Sequence, residues 1–286
     1  MSPIHLESDN EDARTSPTGD GGGEPVTRSP SVFGDVLGSS VRTDVLVSIA
    51  GAPCDTDGLI ESVDASESAI YSAVGDLGRR GLLREVGDRH EVTGSGQLVA
   101  DLLEQQGNLC RLLEDDYWRD HDVGALPRRF RLRLTELAGA EVFRAPDTDP
   151  HAVVREVVDR VEAADSRVDI VTPIYQAEYE AVMPDSADAR LIIDTRVLEE
   201  SLQRVGSIEE ARAFEHTGIR VLDIDVGVGV TDDHLMLSLP TIDGQYDSRT
   251  EVLATDDRAL AWGRDLYEHY WERAAPVETF LADFEW

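Results

Sequence analysis

TDGLIESVDASESAIYSAVGDLGRRGLLREVGDRHEVT, residues 56–93, is the stretch from which the fold is read. TDGLIESV places Leu59, Ile60 and Val63 inside a short helix, with Thr56 as its expected N-cap. A tight turn through Asp64, Ala65 and Ser66 follows. SESAIYSAVGDLGRRGLL then sets Ile70, Val74 and Leu77 on one stripe of a second helix, capped by Ser66 and ended by Gly81. LLREVGDRHEVT reads as two short strands about Gly87-Asp88, a hairpin-turn pair. Upstream, SSVRTDVLVSIAGAP carries Val41, Val45, Leu46 and Ile49 at helical spacing and closes on Gly51 and Pro53.

Three helices, a sharp turn before the third and then a small hairpin make the plan of a winged helix-turn-helix, expected over residues 31–95. The third helix of that plan enters a DNA major groove by its N-terminal residues. Its solvent-facing positions are Glu67, Ser68, Tyr71, Ser72 and Gly75. Ser68 and Ser72 can donate to phosphates or base edges, and Tyr71 can touch a thymine methyl or a phosphate. The Ser66 cap turns a helix N-terminus towards the backbone. Arg79 and Arg80 close the helix, and Arg84 and Arg89 lie in the wing. With Arg42 they are the only bases between residues 31 and 106, against 13 acids. Four of five bases in the helix and wing suit a phosphate-gripping face. The plainer reading of Arg79 and Arg80 is a favourable charge at a helix C-terminus. Glu67, at the groove-facing start, suits acceptance from cytosine better than sequence-independent clamping.

Outward from this block, residues 1–30 mix Ser, Asp, Glu, Pro and Gly with almost nothing apolar and are expected to be a disordered acidic tail. Residues 96–137 form a linker helix and connection. QLVADLLEQQGNLCRLLEDDYW carries leucines on more than one stripe, as a helix would that packs on its own domain and on a partner subunit, or that is buried between two domains. From residue 138 to 275 the pattern alternates. HAVVREVVDRVEAA is an amphipathic helix, and RVDIVTP, RLIID and IRVLDID are short strands. Helical stretches fall at 176–183, 196–205 and 207–217. VGVGVT and HLMLSLP make a hairpin, and DDRALAWGRDLYEHYWERA is a last helix. Such alternation argues for an α/β domain with a mostly parallel sheet, edged by an antiparallel hairpin. The tail at 276–286, with Phe280, Leu281, Phe284 and Trp286, is expected to pack back onto a subunit.

The run from Leu77 to Leu83 and the wing exit at Val92-Thr93 resemble archaeal winged-helix regulators. APDTDPHAVVREVV (145–158), VTPIY (171–175), TDDHLMLSL (231–239) and AWGRDLYEHYW (261–271) resemble, in their order, the C-terminal domain of the methanogenesis filament-formation regulators. They resemble the sugar-sensing TrmB regulators more distantly. The resemblance spans residues 39 to 273 and implies a degenerate phospholipase D-like fold that dimerises or senses rather than catalyses. Enzymes of that fold use a His-x-Lys pair; here His234 is followed by Leu235 and Met236.

Composition narrows the chemistry. The 286 residues, about two domains' worth, hold 58 acids against 26 bases, a net charge of −32. Every base is arginine. Without lysine there is no Walker-type phosphate lysine, no Schiff base and no Ser-x-x-Lys acyl enzyme. So acidic a surface would repel phosphate. In molar salt, however, the Debye length falls to roughly 3 Å, and acidity with arginine in place of lysine resembles the proteomes of salt-in halophilic archaea. Two cysteines, Cys54 and Cys110, suit a reducing cytosol. The start lacks the basic and apolar regions of a secretory signal, and no run approaches 18 apolar residues, so a soluble cytoplasmic protein is expected.

Weaker signals complete the reading. Arg128, Arg129, Arg131 and Arg133 in LPRRFRLRLTEL alternate as on a half-buried strand or edge, facing DNA flanks, an anionic effector or, more ordinarily, carboxylates. Cys54, His90, Cys110 and His121 lack zinc spacing, so no metal and no cofactor are expected. Adjacent acids at 115–116, 232–233 and 256–257 read as turns and caps rather than catalytic pairs. Gly227-x-Gly229 lacks the helix of a dinucleotide fingerprint. An effector pocket would lie beyond the strand ends, where Tyr175 offers a stacking face and Arg196 an anion contact. The sequence thus points to a dimeric DNA-binding regulator that takes double-stranded DNA and a small effector. The rival is a protein-interaction module whose winged helix and acidic surface dock a basic partner.

Overall fold

The structure, a computed structural model, describes residues 32–174, 189–205 and 218–283, which divide into two compact units, one through Gly96 and one from Gln97. The tail at 1–30, Tyr175, the helical patterns at 176–183 and 207–217, Phe284 and Trp286 lie outside the described residues.

The smaller unit runs α1 (Val32–Leu37), α2 (Ser40–Gly51), α3 (Thr56–Ser62), α4 (Glu67–Arg79), β1 (Leu83–Val86) and β2 (Arg89–Val92). Its helices bury the sides their spacing predicts: Val45, Leu46 and Ile49 of α2, Leu59 of α3, and Ile70 and Leu77 of α4. Several details differ from expectation, and Val41 and Ile60, expected inside, are only half-buried. Ala73 completes the buried stripe of α4 while Val74 is only half-buried. The cap of α3 is Asp55, whose Oδ1 accepts from Gly58 N at 2.9 Å; Thr56 Oγ1 instead lies 3.0 Å from His90 Nε2. The turn at Gly87 has φ +68°, a region glycine occupies without penalty. It fixes the register Val86↔Arg89, Glu85↔His90, Arg84↔Glu91. His90 N also donates to Cys54 O at 2.8 Å, so the segment before α3 adds a one-residue third edge to the hairpin.

Helix α5 (Gly94–Leu112) starts where Thr93 Oγ1 accepts from Gly96 N at 3.1 Å and Thr93 N donates to Leu82 O at 2.9 Å. It stops at Leu112 and does not run on to Trp118. Glu114, Asp115 and Asp116 oppose the negative end of a helix. Asp115 Oδ1 accepts from Tyr117 N at 2.8 Å and opens the short α6 (Tyr117–Asp120).

The larger unit continues with α7 (Arg128–Arg131), β3 (Glu141–Arg144), α8 (Ala152–Glu162), β4 (Val168–Thr172), β5 (Ala189–Asp194) and α9 (Thr195–Val205). It closes with β6 (Ile219–Leu222), β7 (Gly227–Val230), β8 (Leu235–Ser238), β9 (Thr250–Ala254), α10 (Asp257–Trp271), β10 (Ala275–Pro276) and α11 (Val277–Asp283). The eight strands order as β10-β6-β5-β4-β7-β8-β9-β3. Among the described residues only β4–β5 and β5–β6 pair parallel; the other five pairings are antiparallel. The sheet is therefore mixed, and a mostly parallel one is corrected: its parallel part is confined to β4, β5 and β6, while β3, β9 and β10 add antiparallel strands that the pattern did not announce.

Helix α10 lies on β7 and β8, burying Trp262, Leu266 and Tyr267 completely. Gly263 permits the approach, since a Cβ there would sit 2.5 Å from Leu235 Cδ1. Trp262 Nε1 donates to Phe130 O at 3.2 Å, holding α7 against α10. The strand read over 131–134 is a helical turn instead, because Phe130, Leu134 and Leu137 are the buried residues and their spacing is helical. Phe280 and Leu281 pack with Leu198, Leu202 and Val221 of their own unit.

Candidate nucleic-acid interface

Ser66 Oγ accepts from Ala69 N at 3.3 Å and lies 3.3 Å from Ser68 Oγ, so two hydroxyls pin the first turn of α4. Ser68, Tyr71 and Ser72, at i, i+3 and i+4, share one exposed face with Glu67 beside them, and Tyr71 is 58% exposed. A phenol ring left in water on a polar helix face is free to contact a partner. Gly75 lies under the Arg79 side chain and is half-buried.

The arginines face outward, and most are tethered. Arg79 binds Asp76 on its own helix, Arg80 binds Asp35 of α1, and Arg84 Nη2 donates across the hairpin to Glu91 Oε2 at 2.7 Å. Their side chains remain 74%, 33% and 64% exposed respectively. Arg42 donates to the backbone oxygen of Asp35 and lies 3.6 Å from Asp76. Arg89 is exposed and, among the described residues, makes no hydrogen bond or ion pair through its side chain. Exposed pairs of this kind are worth about 0–1 kcal/mol, while a guanidinium–phosphate contact is charge-assisted and bidentate. Exchange of a carboxylate for a phosphate is therefore cheap. Asp35, Asp76 and Glu91 are the three acids that hold these arginines in waiting.

In the larger unit, Asp194 ends β5 fully buried and accepts from Ile224 N, Arg196 N and Arg196 Nε, each at 2.9 Å. Burial works against its charge, yet the hydrogen bonds from Arg196 and Ile224 hold its carboxyl below the usual range. Arg196 Nη2 also donates to Asp225 at 2.9 Å, so the proposed anion contact is occupied by two carboxylates. The adjacent acids serve turns and caps. Asp232 accepts from Ser166 N, Ser166 Oγ and Arg167 N, which lower it to about 2, and Asp256 caps α10. His234 Nδ1 lies 2.6 Å from Asp233 Oδ1. Among the described residues no group of three or more His, Cys, Asp or Glu side chains is placed to hold a metal. An open cleft of about 240 Å³, lined by Asn108, Arg111, Glu136, Asp256 and Arg258, lies away from the strand ends where the effector was expected. No helix among the described residues is long and apolar enough to cross a membrane.

Residues 33–109 match the family model described as HVO_A0261 N-terminal domain, and residues 149–273 match that of the middle domain of the methanogenesis regulatory protein FilR1. The chain is 23% identical over 256 residues to methanogenesis regulatory protein FilR1 of Methanothrix harundinacea (strain 6Ac). That alignment covers 84% of this chain and 56% of the relative, so the chain spans about half the length of the curated protein it matches. Among solved structures, TrmBL2, an archaeal chromatin protein with a novel mode of DNA binding, aligns over 85% of this chain and 97% of its own. The TM-score is 0.36 and the identity 14%. CalO1, a methyltransferase of calicheamicin biosynthesis, aligns over 67% of this chain and 61% of its own at a TM-score of 0.22 and 10% identity.

Proposed function

We propose that this chain is a winged helix-turn-helix transcription regulator of a halophilic archaeon, acting in the cytoplasm as a homodimer. In this reading α4 and the β1–β2 wing bind duplex DNA. The larger unit, a degenerate phospholipase D-like sheet, dimerises and senses an effector without catalysing a reaction. The observation that carries the reading is the α4 face. Ser68, Tyr71 and Ser72 stand exposed together, and Arg79, Arg84 and Arg89 are turned to water. Similarity to a regulatory protein in both halves of the chain supports it.

The test is duplex binding by the full chain, in molar KCl, to DNA from upstream of its own gene. Changing Arg84 and Arg89 together to Ala is expected to weaken binding about 10- to 100-fold. Unchanged binding would show that the wing does not dock as described. Recovery of one basic protein and no DNA would favour the protein-interaction module. For the effector, Tyr175 and Arg196 remain the proposed pair, and an anion there would have to displace Asp194 and Asp225.

Dimerisation is drawn from α5 and the residue after it. Leu98, Leu102, Leu109 and Leu113 are all exposed and fall on one side of the helix. Leu102→Glu with Leu109→Glu is expected to convert the protein to a monomer, read by sedimentation equilibrium. A mass unchanged from wild type would remove α5 from the interface.

A further inference from the structure

We propose that α7 is a second duplex-gripping surface, which holds backbone phosphates in addition to the contacts of α4; the proposal rests on the DNA-binding reading above. Residues 123–135 contain no acid, in a chain where 58 of 286 residues are Asp or Glu, and they carry Arg128, Arg129, Arg131 and Arg133.

The structure separates these four. Arg133 is consumed by Glu136 at 2.8 Å and Asp265 at 2.7 Å, and Arg129 Nη2 donates to His269 Nδ1 at 2.5 Å. Arg128 and Arg131 are different. Both are exposed and, among the described residues, neither guanidinium has a hydrogen bond or an ion pair. Most other described arginines are bound to a carboxylate or a backbone carbonyl, so two free ones three residues apart stand out against the composition.

Their spacing puts both on the same side of α7, with Cβ atoms about 5–6 Å apart. Charges along one DNA strand recur every ~3.4 Å of axis, so the pair can reach neighbouring phosphates. The surface continues onto the end of α10, where Arg273 Nη1 donates to His269 O at 2.7 Å. His269 itself adds no positive charge: burial, then the nearby Arg129 and Arg273, hold it below the ordinary imidazole range.

The smaller unit gives this surface its purpose. Its described residues bring five arginines against eleven acids, and Arg79, Arg80 and Arg84 are already paired. Counter-ion release, the main source of affinity for duplex, is meagre from such a face alone. Uncompensated cations on α7 supply what it lacks.

The test compares the full chain with its Arg128→Gln/Arg131→Gln variant on duplexes of about 15 and 45 base pairs, titrated with KCl. Gln removes the charge and keeps the helix. The long duplex is expected to bind the variant about tenfold more weakly. Its slope of log affinity against log salt should be shallower by about 1.8, two phosphates' worth. Equal affinity of the two proteins on both lengths overturns the proposal, as does loss of binding to polyaspartate with duplex binding intact. If Arg84 and Arg89 matter on both duplexes while Arg128 and Arg131 matter on neither, the regulator reading survives and this one falls. If the wild type binds no duplex, both fall together.

Discussion

Alanine at Gly96 is expected to destabilise the smaller unit by about 2–3 kcal/mol, a large share of the 5–15 kcal/mol that holds a typical domain folded. A Cβ there would press into the Leu82 carbonyl oxygen, with the carbonyl carbon only 2.9 Å away, and both atoms are backbone. That oxygen is not free to move. It accepts from Thr93 N at 2.9 Å and from Thr93 Oγ1 at 3.3 Å, and Thr93 Oγ1 in turn accepts from Gly96 N. One crossing thus ties the start of β1, the exit from β2 and the first turn of α5. The sign is diagnostic. Helix propensity alone favours Ala over Gly by about 1 kcal/mol, so a gain in stability would refute the steric account. Urea denaturation followed by far-ultraviolet circular dichroism, with hydrogen exchange at the β1–β2 amides, reads the result.

Glu251 carries the second large effect, and it depends on pH. The side chain is buried on β9 and accepts from Ser238 Oγ of β8. Burial pushes its carboxyl up to about 7, with the Ser238 hydrogen bond and the Arg160 charge opposing and Asp247 adding to the rise. In the unfolded chain the group titrates near 4.5. Between those values the folded state binds more protons, so this contribution is complete below about 4.5 and is lost as pH rises through about 7. The span of two to three units corresponds to roughly 3 kcal/mol. Glu251→Gln keeps the shape and the Ser238 contact, and its spare amide N–H offsets part of the gain. The variant is expected to be about 2 kcal/mol more stable than wild type at pH 8 and no more stable at pH 4.5. A stability difference that stays constant across this range would refute the assignment.

Where apolar residues recur at a clear period, the sequence reading and the structure coincide: α2, α4, α8 and α10 each bury one predictable side, and β4 and β5, read as short apolar strands, are buried on both faces. The two-residue turn at Gly87-Asp88 even dictates the cross-strand partners. From it alone Arg84 must stand opposite Glu91, and Arg79 lies one helical turn from Asp76. Those two tethers are legible in the sequence. The contact between Arg80 and Asp35 is not, because 45 residues separate them and only tertiary packing joins them. Strands β3 and β9 escaped because they are short and carry Glu141 and Glu251. A buried glutamate is an unreliable sign of a strand interior. Helix α7 was misread for the opposite reason. Its alternating arginines imitate a strand's period, while the residues that decide the matter, Phe130, Leu134 and Leu137, lie partly beyond the run.

All four tryptophans, Trp118, Trp262, Trp271 and Trp286, follow Gln97 in the chain, and the three described ones belong to the unit that begins there. Indole emission from this protein is consequently blind to everything before that residue. With Trp262 wholly shielded from water, its red shift on heating marks the melting of the larger unit alone. Any part of the helical ellipticity that is lost at another temperature belongs to the smaller one. One cuvette and two wavelengths then assign each transition, without cutting the chain.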